Sequence, residues 1–310
     1  MTTIRIGYST GSEQAPALQT NLLRRAGSDE TLVAVPVDVS AGGDIDAILI
    51  DGQRDDSAAA VIEALGRGWH VLVSGLPGRS VEDIIEIRRA EAMARPRKLK
   101  IDLGFREHSS VRSARAIMAT GELGELVSIR SILGIGTGQQ GVLLHHGAAM
   151  LDLIHQFAGP LEQVQSLVDA TPDAPISSDR NVMALMRNHA GTLISLHVSS
   201  TQWRETFRIE AGFSRGYVWL DGLLSTSAGF GPEMLIIGRT KLDAQGQPIP
   251  NPDEQITEFQ EDQAADHVLC DFLDAIRSER AIQSGNSLQA FDAMNTLHRI
   301  YAADPQLQFV

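Results

Sequence analysis

Asp44-Ile-Asp-Ala-Ile-Leu-Ile50, followed by the run Ser57–Arg67 and then by Gly68-Trp-His-Val-Leu-Val73, is the stretch that decides the fold. Ala47–Ile50 is a continuous apolar run, as expected of a parallel strand buried on both faces. Ser57–Arg67 reads as a helix, and His70–Val73 as the next strand. A strand, a helix and a strand in this order specify a βαβ unit. The pattern extends both ways. Upstream, Thr3–Tyr8 reads as a strand, Ala15–Arg25 as a helix and Thr31–Val37 as a strand, whose Pro36 belongs near a sheet edge. Downstream come helix Val81–Met93, strand Leu99–Gly104 and helix Val111–Thr120. Alternation to about residue 120 predicts a doubly wound, Rossmann-like parallel sheet, shortened between its second and third strands.

After Gly124 the rhythm changes. Val127–Leu133 reads as a strand and 141–158 as a helix. Val164–Val168, Val182–Met186, Thr192–Ser199, Phe207–Ala211 and Tyr217–Leu220 then follow as strands without helices between them. That is the α+β pattern of a large, mainly antiparallel sheet. Residues 222–262 are rich in Gly, Pro and polar side chains and read as an extended, partly irregular excursion. Helices at about Ala264–Ser278 and Leu288–Tyr301 close the chain. The expected division is 1–122, a Rossmann-like domain, and 123–310, an α+β domain. The closing helices are expected to pack back on the first domain.

The helix at 141–158 carries two stripes. Leu143, Gly147, Met150, Leu151, Ile154 and Phe157 recur at helical spacing and face a core. His145, Ala149, Asp152 and Gln156 form a second stripe, which reads either as solvated polar surface or as the wall of a pocket. Gly159-Pro160 ends the helix.

Composition limits the function classes. The chain has 310 residues, 43% of them hydrophobic and 21% charged, with a formal charge of −13. A nucleic-acid backbone needs a clustered basic surface, so that class of partner is not expected. The most basic stretch, Arg95-Pro96-Arg97-Lys98-Leu99-Lys100, lies between a helix and a strand and reads as a solvated turn rather than a binding patch. The single cysteine, Cys270, excludes an internal disulfide and reads as a buried residue near a helix. No apolar run approaches the ~18 residues of a membrane span, and the N-terminus lacks a signal-peptide core, so the expected compartment is the cytoplasm.

The order of these pieces resembles the Gfo/Idh/MocA oxidoreductases, the family of glucose–fructose oxidoreductase and inositol dehydrogenase. Residues 44–72 are similar to the middle of that family's nucleotide domain. Leu103-Gly-Phe-Arg106 through Ile117–Gly124 resembles its last nucleotide-domain strand and linking helix. Gly141–Asp152 resembles its substrate-site helix, and Phe272–Ile276 with Ser287–Tyr301 its closing helices. The resemblance implies NAD or NADP exchanging hydride with a sugar, polyol or related small molecule. It also implies a substrate-side role for Arg106, where a salt bridge to Glu107 or Asp102 is the competing reading.

Departures fall on the family's chemical residues. Its Glu-Lys-Pro motif corresponds to Ser74-Gly75-Leu76, so the lysine position holds Gly75. Its Asp-x-Gly-x-His-x-x-Asp pattern corresponds to His145, Gly147, Ala149 and Asp152. Gly147 and Asp152 are kept, the first aspartate is His145, and the histidine is Ala149. Glycine and alanine transfer no proton. His145 is the remaining candidate acid or base, because histidine titrates near neutral pH. His145, Asp152 and Arg106 are therefore the candidate catalytic residues. His145 with Asp152 is an incomplete ligand set, so no metal is expected.

The cofactor end departs as well. A pyrophosphate site needs glycines at the first strand–helix turn. Here the turn is Ser9-Thr10-Gly11-Ser12-Glu13-Gln14-Ala15. Ser9, Thr10, Gly11 and Ser12 are candidate phosphate contacts, whereas Ser12 as N-cap with Glu13 in the first turn reads as an ordinary helix start. Residues 38–45 span at most ~27 Å, too little for another βα unit. Asp38 is the only candidate ribose contact, and also a common turn residue. Weak or absent binding of NAD and NADP is the expectation. Gly136-Thr-Gly138-Gln-Gln-Gly141 has dinucleotide-loop spacing but precedes antiparallel strands, so it reads as a pocket rim. Trp203, Arg204 and Glu205 sit between strands and suit either a pocket or an oligomer face.

Two functions remain open on sequence. One is a divergent NAD(P)-linked oxidoreductase using His145. The other is a cofactor-free descendant that binds a small molecule or a partner, or runs a non-redox acid–base reaction. Self-association through the antiparallel sheet, as a dimer or tetramer, is expected in either case.

Overall fold

The computed structural model describes residues 3–8, 17–37, 43–138, 141–170, 178–225, 229–249 and 252–307. The chain forms two compact units: Met1–Glu107 with Gln263–Asn295, and His108–Asp262 with Thr296–Val310.

The first unit is built on β1 (Ile4–Tyr8), β2 (Leu32–Pro36), β3 (Ala47–Asp51), β4 (His70–Ser74) and β5 (Leu99–Asp102). All pairs are parallel and the order is β2-β1-β3-β4-β5. Pro36 therefore lies on an edge strand, where its missing N–H costs no ladder bond. Ala47–Ile50 is buried throughout, as its apolar run requires. Helices α1 (Ala17–Ala26) and α6 (Ala264–Arg277) share a core with β1–β4, in which Leu18, Leu22, Leu269 and Phe272 meet Ile4, Ile6 and Leu49. Arg24 and Arg25 at the end of α1 pair with Asp266 of α6. Arg25 also donates to Cys270 Sγ at 2.9 Å, so the cysteine is half-buried beside a guanidinium, and the expectation of a plain buried residue fails. Helix α2 (Ser57–Gly66) packs on β3 and β4 and against α3 (Val81–Met93). Helix α3 starts at a capping box, in which Asp83 N–H donates to Ser80 Oγ and Ser80 N–H to Asp83.

The reading of Arg95–Lys100 as one solvated turn needs correction. Lys100 is in β5, 1% exposed, and its ammonium donates to Asp271 at 2.6 Å and to the Ser284 carbonyl at 2.8 Å. Strand alternation turns it inward, where a carboxylate on α6 waits.

The second unit carries α4 (Ser109–Ala119), α5 (Ala148–Ala158) and eight strands. These are β6 (Leu126–Gly134), β7 (Leu161–Val168), β8 (Asn181–Asn188), β9 (Leu193–Ser199), β10 (Thr206–Phe213), β11 (Gly216–Asp221), β12 (Glu233–Arg239) and β13 (Glu254–Phe259). Their order is β13-β12-β11-β10-β6-β9-β8-β7, antiparallel except for β6 with β9. β12 and β13 replace the irregular excursion expected over 222–262. Met234–Ile237 supplies the apolar run, and pairing with β11 decides its conformation. α7 (Ser287–Ala303) starts in the first unit and ends in the second.

The large sheet alternates sharply. Ile129, Leu133, Ala184, Ile194, Leu196, Val198, Phe207 and Ile209 are buried on one face, toward which α4 and α5 pack. Residues between them point the other way, and Leu167, Met183, Leu185 and Leu193 are exposed there.

Candidate functional site

Helix α5 does not begin as an α-helix. Leu143–Gly147 forms a π turn, with the Ala148 N–H donating to the Leu143 carbonyl five residues back. Such turns are rare and concentrate at functional positions. This one holds His145 and His146, which a regular helix would have placed differently.

What fixes the turn is Asp179, just before β8. Its carboxylate accepts the Leu143 N–H at 2.9 Å and the Tyr301 hydroxyl at 2.6 Å, and its carbonyl accepts the Val142 N–H at 3.2 Å. Asp179 is wholly buried. Burial pushes its carboxyl up, opposed by the Tyr301 and Leu143 hydrogen bonds and by the charge of His145. Burial, followed by the Asp179 charge, pushes Tyr301 up, so Tyr301 remains a hydroxyl donor. The acid and the phenol are thus a matched acceptor and donor that pin the helix start. His145 is half-buried and within electrostatic range of Asp179. Burial, with some help from His145, drives His146 down to about 4 and leaves it neutral near pH 7.

Gly147 lets the turn approach β9. A Cβ there would lie 2.8 Å from Leu143 Cδ1 and 3.3 Å from Val198 Cγ2. Further along, Asp152 is 2% exposed and accepts Gln156 Nε2 at 2.8 Å. Gln156 in turn accepts Arg115 Nη1 of α4 at 2.7 Å. His145 and Asp152 therefore lie on one helical run with different neighbours, Asp179 for the first and the Gln156–Arg115 chain for the second. His155 Nε2 is 2.8 Å from Thr296 Oγ1 and closes the helix end.

Arg106 belongs to the first unit and is 2% exposed. Its guanidinium donates to Gln289 Oε1 at 2.8 Å and to Ser284 Oγ at 3.2 Å. These bonds brace the segment before α7, a use that the two sequence readings did not include. Trp203 is 95% exposed in its loop.

Ser9, Thr10, Gly11, Ser12 and Asp38, the candidate cofactor contacts, lie outside the described residues, as do Gln139 and Gln140 of the glycine-spaced loop. The carboxyl end of the parallel sheet is described at β3, β4 and β5. There Gly52 N–H donates to the Ser74 carbonyl and Gly75 N–H to the Asp102 carbonyl, both at 2.7 Å. Gly75 has φ +90°, and a Cβ on Gly52 would lie 2.7 Å from the Gly75 carbonyl oxygen. The lysine position of the resembled family is thus a left-handed backbone position, where side chains are costly. Burial pushes the neighbouring Asp102 carboxyl up.

Asp179 and Tyr301 escaped the sequence reading. The Leu143–Asp179 bond spans 36 residues and the Tyr301–Asp179 bond 122, and no local motif marks either residue.

Residues 111–219 match the family model described as the GFO/IDH/MocA C-terminal domain. The whole fold is similar to a dehydrogenase from Chromobacterium violaceum, at 17% identity and TM-score 0.78, covering 99% of this chain and 97% of that one. It is similar to a UDP-N-acetylglucosamine 3-dehydrogenase from Acidithiobacillus ferrooxidans, at 14% identity and TM-score 0.77 over 100% of both chains. A 3-ketoreductase from Actinomadura kijaniata, solved with TDP-benzene and NADP, matches at 16% identity and TM-score 0.77 over 98% of each chain. No curated protein sequence matches the chain.

Proposed function

We propose, from the premise that residues 111–219 are a GFO/IDH/MocA C-terminal domain and that the chain has the fold of that family's dehydrogenases, a divergent NAD(P)-linked oxidoreductase acting on a sugar, polyol or related small molecule. The observation that carries this reading is His145, half-buried in a π turn braced by Asp179 on the helix the family uses for substrate.

The cofactor's fit is supported by topology. The order β2-β1-β3 reverses direction at β1, and in such sheets ligands bind in the crevice outside the carboxyl ends at that switch point. Bound NAD or NADP would supply exchange of hydride with a substrate carbon. The chain's own contribution is proton management. His145 gives a proton to, or takes one from, the oxygen on the reacting carbon, a role ordinarily contributing about 10²–10⁴-fold. Asp179, held by the Tyr301 hydroxyl and the Leu143 N–H, keeps the turn that carries His145 in one conformation. His146 stays neutral and adds no second charge.

A second reading is favoured by Gly75, whose φ of +90° stands where the family's lysine would be. In that reading the chain is a cofactor-free descendant that binds a small molecule or runs a non-redox acid–base reaction. Calorimetric titration of the purified protein with NAD⁺, NADH, NADP⁺ and NADPH separates the two. Saturable heat with any form supports the oxidoreductase. Silence up to millimolar cofactor, about −4 kcal/mol of binding, refutes it. Given turnover on a sugar or polyol, His145→Ala lowers it about 10²–10⁴-fold, and unchanged turnover removes His145 from the chemistry.

Self-association through the open face of the large sheet belongs to the same reading. Leu167, Met183, Leu185 and Leu193 are neighbouring exposed apolar side chains on β7, β8 and β9. Arg130–Glu210 and Arg208–Asp221 pair on the same face and leave it locally neutral, which suits a second copy of itself. Light scattering at micromolar concentration should show a dimer or tetramer, and Leu185→Asp should dissociate it. A wild-type monomer refutes the assignment. No helix among the described residues is long and apolar enough to cross a membrane.

A further inference from the structure

The first unit contains a cleft of about 880 Å³ at the edge of the parallel sheet opposite the strands' carboxyl ends. It opens beside Leu99 at the start of β5, between the last turns of α3 and the segment leading into α7. Its floor is apolar, with Ile85, Leu99 and Ile282, and Leu288 stands exposed at its margin. Its walls are basic, with Arg88, Arg89, Arg95, Arg97 and Lys98. Glu91 is the only carboxylate among the lining residues.

Among the described residues, Arg89 is the one of these five cations that is paired with a carboxylate. Arg89 pairs with Glu86 one helical turn away. Lys98 Nζ donates to the Glu279 carbonyl at 2.9 Å, which satisfies a hydrogen but leaves the charge. Arg88 lies 5.5 Å from the centre of the Phe291 ring, again without neutralisation. Arg97 approaches His70 Nε2 at 3.3 Å, and His70 Nδ1 accepts the Lys98 N–H at 3.0 Å, so that imidazole is not a counter-charge either. Glu91 accepts the Ser287 hydroxyl and keeps its charge, so the five cations still outnumber the carboxylates Glu86 and Glu91. The start of α7 contributes nothing, because Asn286 Oδ1 already accepts the N–H groups of Leu288 and Gln289. What remains is a concentration of cations over an apolar floor, in a chain with 39 acidic and 26 basic residues. Low-dielectric walls lined by one sign of charge focus the field and raise the local concentration of anions. A guanidinium cluster fits the oxygen geometry of phosphate, and the floor adds burial for an apolar body.

We propose that this cleft is a binding site for a small phosphorylated ligand with an apolar or aromatic body, separate from the carboxyl-edge crevice. The phosphate oxygens meet Arg88, Arg95 and Arg97, and the body covers Ile85, Ile282 and Leu288. The site is independent of the oxidoreductase reading, since none of its residues belongs to the candidate catalytic set.

The test is calorimetric titration of the full chain with 4-nitrophenyl phosphate and, separately, with inorganic phosphate. Wild type should bind the aryl phosphate saturably below millimolar, at least tenfold tighter than inorganic phosphate, with affinity falling as NaCl is raised. Arg88→Ala/Arg95→Ala, with circular dichroism unchanged, should weaken it at least tenfold. A second variant, Arg97→Ala, guards against misfolding of the first and should also weaken it. Undetectable binding overturns the proposal. Binding that both variants leave unchanged overturns it too, because the ligand then sits elsewhere, the carboxyl-edge crevice included. Equal affinity for the two probes overturns the apolar half of the site.

Discussion

Gly147→Ala decides between two physical effects of opposite sign. Gly147 has φ −66° and ψ −28°, ordinary helical values, so alanine meets no backbone strain. Helix propensity alone then predicts a gain of up to about 1 kcal/mol. The surroundings predict a loss. The new methyl would stand 2.8 Å from Leu143 Cδ1 and 3.3 Å from Val198 Cγ2, against the 3.5–4.0 Å usual between carbons. Relief requires Leu143 to change rotamer or the turn to move off β9. Leu143 and Val198 are both wholly buried, so neither has free space to enter. Overpacking of this kind costs about 1–3 kcal/mol, which outweighs the propensity gain over most of that range and leaves a net loss of up to about 2 kcal/mol. Urea unfolding of wild type and variant measures it, with an unchanged slope and a lower midpoint expected. A variant more stable than wild type would refute the claim that the helix and β9 are in contact through this glycine.

Two further predictions concern pH. Burial works against the charge of Asp271, but the hydrogen bond and charge of Lys100, then those of Arg280, outweigh it and hold the carboxyl below its ordinary value. A depressed carboxyl stabilises above the ordinary carboxylate range and loses that contribution as pH falls through its folded value. Lys100→Met should therefore cost about 2 kcal/mol at neutral pH and flatten the acid side of the stability curve. An unchanged curve from denaturant midpoints at pH 3–7 would contradict the pairing. His70 is driven down to about 4 by burial first, then by the charges of Arg97 and Lys98. The unfolded chain takes up the proton first, so stability falls as pH drops from 6.5 to about 4, by up to about 3 kcal/mol. His70→Gln should reduce the slope in that window, and an identical slope would refute the assignment.

The parallel sheet was legible because its central strands β3 and β4 are buried on both faces. Ala47–Ile50 and Val71–Val73 are unbroken apolar runs, and no tertiary knowledge is needed to read them. β12 has a comparable run at Met234–Ile237, but the Gly- and Pro-rich residues around it masked the signal. β13 gives no hydrophobic signal, since Ile256 is 58% exposed and its neighbours are polar. Its strand character comes from pairing with β12 alone. The helix over 141–158 and His145 are legible from chain order. The π turn is not, because a shift from i−4 to i−5 bonding leaves no trace in residue type. Asp179, Tyr301 and the engagement of Arg106 by Gln289 depend on contacts between distant segments, which spacing cannot supply. Lys100 was misread for a related reason: a basic run was treated as one surface, although strand alternation separates its last member from the rest.

A π turn amounts to one residue inserted into a helical run, here at its start, with the helix that follows kept in phase. Elsewhere in a buried helix, gaining or losing a residue rotates everything downstream by about 100° and turns the core face outward. At Leu143–Gly147 a loss would be absorbed by reversion to i−4 bonding, and Met150, Leu151 and Ile154 would keep their places. The chain can therefore change length at the point where it presents His145 without repacking the sheet beneath. Length variation among descendants of this fold would be tolerated at that position, and it would reset which side chain occupies the turn while leaving the scaffold as it is.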